Sequence, residues 1–193
     1  DYEHFGREVL KTIPDRPVSL EVFADDVEEM ITQGKKISSW GSNVNIKIPI
    51  TTTKKESTEK VIKTLSDDGV AVNVTAIMTV DQVSKVAKNL NKDVPAIVSV
   101  FAGRVADTGR DPIPHMMECL EEISHLEKAE LLWASPRELL NVFQADNMGC
   151  HIITVTESIL NKLSIVNKDL DEYSLETVKM FRDDAVSAGY KII

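Results

Sequence analysis

The chain has 193 residues, 42% of them apolar and 27% charged, with a formal net charge of −9. That length allows one domain with a sizeable core, and the acidic balance argues against nucleic acid or an anionic membrane as the main partner. A small phosphorylated substrate stays open, because local arginines and not net charge answer to it.

No apolar run approaches the ~20 residues of a membrane span. No signal peptide is visible, but a chain that starts at Asp1 and not at a methionine leaves a leader open. Cys119 and Cys150 sit in no paired motif, and two free, buried thiols suit a reducing cytoplasm. His4, His115, His125 and His151 show neither HxH nor HExxH spacing, so a metal site is not expected.

In chain order, residues 1–13 read as a helix ending at Pro14, and 18–24 as a strand with Ser19, Glu21 and Phe23 in one phase. Asp25 is a candidate N-cap for a helix carrying Val27, Met30 and Ile31. Residues 44–50 alternate strictly: Val44, Ile46, Ile48 and Ile50 in one phase, Asn45 and Lys47 in the other. A charged helix is expected over 55–68, stopped by Gly69; a strand over 70–78; a helix over 79–90; and a strand over 96–103. A polar loop, 104–114, precedes a helix over 115–127 and a strand over 129–135. Then come a helix over 136–145 with Pro136 in its first turn, a strand over 150–156, a short helix over 157–163 and a terminal helix over 171–189.

The strands begin near 18, 44, 71, 96, 129 and 150, at roughly the pitch of a βα unit with short loops. Strict βα alternation implies a parallel sheet. A Rossmann sheet is one reading, but no GxGxxG or GxxxxGK[ST] follows a strand. The other is a (β/α)8 barrel, which ordinarily takes ~250 residues, and only six βα units are visible.

The polar phase carries the chemistry. It gives Ser19 and Glu21, Asn45 and Lys47, Asn73 and Thr75, Ser99 and Phe101, Trp133 and Ser135, then Thr154 and Thr156. By itself, Lys47 could be an edge-strand lysine facing solvent, a device against aggregation. In a sheet covered by helices its phase must point into a barrel or cleft. Burial there disfavours the ammonium form, and a neutral amine is the species that attacks a carbonyl. Phosphate recognition has separate candidates: Arg104 after one strand, and Ser135-Pro136-Arg137 at a strand end and helix start, where free backbone N–H groups favour an anion. Arg110, in the loop, reads as a surface ion-pairing residue.

Asn45-Ile-Lys47-Ile-Pro49, Asn73-Val-Thr75, Phe101-Ala-Gly-Arg104 and Ala134-Ser135-Pro-Arg137, in this order, resemble the transaldolase family. The similarity is greatest to its small subgroup, which includes fructose-6-phosphate aldolase. The resemblance implies a (β/α)8 barrel and class I aldolase chemistry without metal or organic cofactor. It also implies a homo-oligomer acting on sugar phosphates in cytoplasmic carbohydrate metabolism, in the pentose phosphate pathway. It makes Lys47 the Schiff-base lysine, with Glu21 and Thr75 positioning the water of imine formation and hydrolysis. Asn73, Ser99 and Phe101 would line the pocket, with Asn45 as a further polar neighbour, and Arg104, Ser135 and Arg137 would hold the phosphate. Glu21 and Phe101 resemble true transaldolases, where the aldolases have glutamine and tyrosine, so transfer of dihydroxyacetone is expected over its release. A non-catalytic sugar-phosphate binder is the third reading. The family begins with two further strands, one bearing an acid/base aspartate. Neither is present, so the chain is expected to be a single barrel domain, residues 1–193, lacking its first two βα units.

Overall fold

The computed structural model describes Asp1–Ile193, which divide into two compact units, Asp1–Val155 and Thr156–Ile193. The first unit runs α1 (Tyr2–Thr12), β1 (Val18–Glu21), α2 (Val27–Ser38), β2 (Val44–Pro49), α3 (Glu59–Asp67), β3 (Val72–Ile77) and α4 (Val80–Asn89). It continues with β4 (Ala96–Val100), α5 (Ala102–Asp107), α6 (Pro112–Ile123), β5 (Ala129–Trp133), α7 (Leu140–Asn147) and β6 (Ile152–Ile153). All five strand pairings are parallel, in the order β1-β2-β3-β4-β5-β6. The sheet curls into a half-barrel. Ser19 at one edge and Ile152 and Thr154 at the other line the same cavity, which a flat sheet would not allow.

The alternation explains the layering. Leu20, Ile46, Ile48, Val72, Val74, Val98, Val100 and Leu131 point outward and are buried under Val61, Ile62 and Leu65 of α3, Val83 and Val86 of α4, and Met116 and Cys119 of α6. Trp133 belongs to this outward set and is fully buried in it, which corrects the inward phase expected for it. Leu132 and Ala134 face the concave side instead, clustered with Ile97, Phe101 and Ile152.

Local sequence sets the boundaries. Asp26, not Asp25, caps α2 by accepting from the backbone N–H of Glu28 and Glu29. Asp25 instead accepts from the N–H and hydroxyl of Thr53, tying the β1–α2 loop to the β2–α3 loop. The helix expected from residue 55 starts at Glu59, because Thr51 and Ser57 pair across a tight antiparallel bridge. The last strand is short, Ile152–Ile153, because His151 Nδ1 accepts the Leu131 N–H at 3.0 Å, where a ladder carbonyl would otherwise sit. At the opposite edge, the Tyr2 phenol accepts from Glu21 N–H (2.8 Å) and donates to Glu21 C=O (3.3 Å). Burial disfavours the phenolate and so pushes the ionisation of that phenol to higher pH. It also pushes the Cys119 thiol, on α6, up to about 12 and the Cys150 thiol in the same direction. Both cysteines are free.

The second unit holds α8 (Glu157–Leu160), a 3-10 turn (Asn161–Ile165) and α9 (Leu170–Ser187). Leu175, Val178, Phe181 and Val186 of α9 are all exposed. No helix of the chain is long and apolar enough to cross a membrane.

Candidate active site

A cavity of about 430 Å³ opens on the concave face. It is lined by Lys47, Asn73, Thr75, Ser99, Phe101 and Ser135, together with Ser19, Ile97, Leu132, Ile152 and Thr154 among others. Six of the nine site residues read from the sequence therefore meet in one space. Asn45 lies elsewhere, in a separate depression lined also by Asp15, Arg16 and Glu130.

Parallel register places Glu21 beside Lys47 and Lys47 beside Asn73 on three adjacent strands. Lys47 Nζ lies 3.7 Å from Glu21 Oε2, with 35% and 47% of the two side chains accessible. The lysine is thus only partly buried, less than its alternation suggested. A pair this exposed is worth at most about 1 kcal/mol to stability, so stability alone does not account for a carboxylate next to that amine.

Asn73 is 5% exposed and Ser99 3%, and their polar groups are matched. The Ser99 hydroxyl donates to Asn73 Oδ1 at 2.7 Å, and Asn73 Nδ2 donates to Ser19 Oγ at 2.9 Å. Matching of this kind removes the penalty of burying a carboxamide. Thr75 sits where β3 departs from regular pairing, between Val74 and Ile77, and Ala76 has φ 62°. That left-handed residue is strained for any side chain, and bulges of this type re-aim neighbouring side chains. The wall facing this polar set is apolar, built from Ile97, Leu132 and Ala134 with Phe101 and Ile152. Such a cavity offers an amine, hydroxyls and one amide to an oxygen-rich chain on one side and excludes water on the other.

Ser135 reaches the cavity by leaving the strand. Its φ of 56° breaks the alternation, so Ala134 and Ser135 both line the cavity although they are consecutive. The Ser135 turn is pressed against α5. Gly103 N–H donates to Ala134 C=O at 3.3 Å, and a Cβ on Gly103 would lie 1.5 Å from the Ser135 carbonyl oxygen. Only glycine allows that approach. The polar loop expected at 104–114 is therefore helical in its first part, where Phe101 C=O accepts from both Arg104 and Val105 N–H.

Neither arginine lines the cavity itself. Arg104 places its guanidinium 5.6 Å over the ring of Phe101, a cavity-lining residue. Arg137 donates from Nε to Asp107 Oδ1 at 3.0 Å and from Nη2 to Asp107 Oδ2. Its Nε is also 3.4 Å from where a Gly103 Cβ would stand, which puts it alongside the Ser135 turn. The side-on pairing leaves Nη1 and one Nη2 hydrogen for an anion. The helix start expected at Ser135-Pro136-Arg137 is not there: α7 begins at Leu140. The Arg137 and Glu138 N–H groups are not free either, because both donate to Asn141 Oδ1 at 2.7 and 3.1 Å. Gly103 enters the sequence reading only as a member of the Phe101-Ala-Gly-Arg104 motif, with no role attached, and Asn141 and Asp107 escape it. An Asn four residues after Arg137 is the only local sign of the first, and nothing local marks the second.

The family described as transaldolase/fructose-6-phosphate aldolase matches residues 3–192. A probable transaldolase of Nitrosopumilus maritimus (strain SCM1) is 34% identical over 149 residues, 76% of this chain and 63% of that protein. A probable transaldolase of Thermoanaerobacter sp. (strain X514) is 32% identical over 193 residues, 100% of this chain and 83% of its own length. A third, of Streptococcus equi subsp. zooepidemicus (strain MGCS10565), is 32% identical over 191 residues, 97% of this chain and 81% of its own. The chain thus spans from just under two thirds to about four fifths of these relatives. A solved structure of mandelate oxidase with benzoyl-formic acid covers 80% of this chain and 58% of its own at 14% identity and a TM-score of 0.38, too slight a likeness to carry an argument.

Proposed function

We infer the activity from one premise: the chain belongs to the transaldolase/fructose-6-phosphate aldolase family. On it we propose that Lys47 forms a Schiff base with a ketose phosphate, and that the protein's reaction is transfer of the dihydroxyacetone unit to an aldose phosphate. The observation that carries this reading is the placement of Lys47 in a cavity, between the Glu21 carboxylate and the Asn73 carboxamide, on three strands in register.

In this reading the neutral Lys47 amine attacks the ketose carbonyl carbon, and the carbinolamine loses water to give the imine. Glu21, 3.7 Å from the amine, moves the protons that this dehydration and the later hydrolysis require. Thr75, at the β3 irregularity, holds the water. Asn73 and Ser99 receive the hydroxyls next to the imine carbon. Arg137, with Ser135 and Arg104, takes the phosphate at the opening near the ends of β4 and β5. As the hydroxyl beyond the breaking bond loses its proton, the carbon–carbon bond opens, its electron pair moves to the iminium nitrogen and the first aldose phosphate departs as an aldehyde. The enamine left on Lys47 adds to the acceptor aldehyde, whose oxygen takes up a proton, and water then hydrolyses the imine. Phe101 supports transfer over release, because a ring without a hydroxyl gives the waiting enamine no proton.

Treatment with fructose 6-phosphate and borohydride tests the reading. Hydride reduces the imine to a stable secondary amine, and the peptide containing Lys47 should gain the mass of the reduced adduct. Lys47→Arg should gain none, since a guanidinium is essentially never deprotonated. An adduct that persists in Lys47→Arg, or its absence from the Lys47 peptide, refutes the assignment. Free dihydroxyacetone accumulating from fructose 6-phosphate alone would instead favour the lyase reaction.

A further inference from the structure

Ser19 has no part in the roles assigned so far, yet it lines the cavity and holds one end of Asn73. The hydrogen bond is unusual in its path. Ser19 is on β1 and Asn73 on β3, so the contact passes over the intervening strand. In register Ser19 pairs with Asn45, and Asn73 pairs with Lys47. The bond therefore crosses β2 between Asn45 and Lys47, at the foot of the lysine side chain.

A carboxamide has two N–H donors and an oxygen with two lone pairs. In Asn73 one donor is used on Ser19 and one lone pair on Ser99. With both ends held, the plane of the amide is fixed across the sheet, and the second Nδ2 hydrogen is left for the cavity beside Lys47. Losing Ser19 leaves Ser99 as the remaining hydrogen-bond anchor of the side chain. The plane is then free to turn about that single contact, and the N–H beside the imine carbon is no longer pre-placed.

We infer that Ser19 is a positioning residue: it fixes the Asn73 carboxamide so that one N–H meets a substrate hydroxyl oxygen next to the Lys47 imine, and so selects hydroxylated ketones. This rests on the reading of Lys47 given above. It names a substrate preference that the lysine alone does not provide, because any ketone that reaches the amine is able to form an imine.

The test compares two ketones in borohydride trapping, dihydroxyacetone and acetone, by the concentration that half-saturates the adduct on Lys47. Acetone has no hydroxyl and reads access to the amine alone. Ser19→Ala should raise the half-saturating dihydroxyacetone concentration about fivefold, the usual worth of one neutral hydrogen bond, and leave acetone unchanged. Ser19→Thr should restore the preference. Asn73→Ala should lose it, and adding Ser19→Ala to Asn73→Ala should change nothing further, because the two act as one unit. Equal weakening of both ketones, or additive losses in the double variant, overturns the proposal and leaves Ser19 a structural residue. In parallel, the Asn73 side-chain NH2 signals, assigned by their absence in Asn73→Asp, are followed by NMR without ligand. They should shift or broaden in Ser19→Ala, and unchanged signals also overturn the proposal. If the wild-type protein traps neither ketone, the Lys47 reading fails, while the NMR comparison still decides whether Ser19 holds Asn73.

Discussion

Replacing Gly103 by alanine adds one methyl group at the tightest approach in the site. The φ at Gly103 lies outside the left-handed region, so the backbone itself accepts alanine, and the whole effect is steric. The new Cβ would stand 1.5 Å from the Ser135 carbonyl oxygen, where real Cβ contacts essentially never fall below 3.0 Å. The Ser135 turn must therefore retreat by about 1.5 Å, and it is backbone, not the end of a flexible side chain. Overpacking of this kind costs about 1–3 kcal/mol, and loss of the Gly103 N–H bond to Ala134 adds about 1 kcal/mol. The variant should thus lose about 2–4 kcal/mol in urea unfolding. The same retreat carries Ser135 and Arg137 away from the proposed phosphate position, and a misplacement of ~1 Å is able to cost ~10²-fold. Lys47 stands two strands from β4, so trapping of dihydroxyacetone should survive while the half-saturating fructose 6-phosphate concentration rises steeply. An alanine variant with wild-type stability and an unchanged preference for the phosphorylated ketose would refute the close-approach reasoning.

Two further outcomes follow from the geometry. Arg137→Ala removes a charge-assisted contact of about 1.5–3 kcal/mol, so fructose 6-phosphate should trap roughly 10- to 150-fold more weakly, with dihydroxyacetone little affected; equal losses for both would remove Arg137 from the phosphate site. The Cys119 thiol is held protonated to about 12 in the folded chain against 9.0 ordinarily, so the unfolded state loses that proton first and stability should fall as pH climbs from about 9 toward 12. Tyr2 and Cys150, both shifted upward by burial, add to the fall. Melting temperature measured at pH 8 and pH 10 should drop, and Cys119→Ala should flatten the slope; an unaltered slope in that variant would assign the alkaline loss to other groups.

How much of this was legible depended on the strand. β1 to β3 alternate apolar, mostly β-branched, with polar residues, so the sequence alone places Glu21, Lys47, Asn73 and Thr75 on one face. β5 is Ala-Glu-Leu-Leu-Trp, and only Glu130 interrupts its apolar run. With both faces apolar, period-2 reading has no purchase and puts Trp133 on the wrong side. Ser135 lines the cavity for a different reason, a backbone turn that no alternation encodes. The arginine environment was hidden because it depends on pairs distant in sequence: Asp107 meets Arg137 across 30 residues. The helix start at Pro136 failed through a competing side chain, since Asn141 takes the N–H groups that a helix start would leave free.

The Tyr2 phenol has a consequence for how the site breathes. Glu21 sits on the outermost strand, and the outward side of its peptide group is bonded not to another strand but to one hydroxyl on α1. The Glu21 amide hydrogen can then exchange with solvent once the Tyr2 hydroxyl leaves it, through a turn of that side chain or through lifting of α1 at its N-terminal turn. Either event also frees the backbone carrying the carboxylate opposite Lys47. Release of Tyr2 and loss of order at Glu21 are thus one local opening. The exchange rate of this single amide is its clock, and its free energy is smaller than that of global unfolding by whatever the rest of the sheet retains.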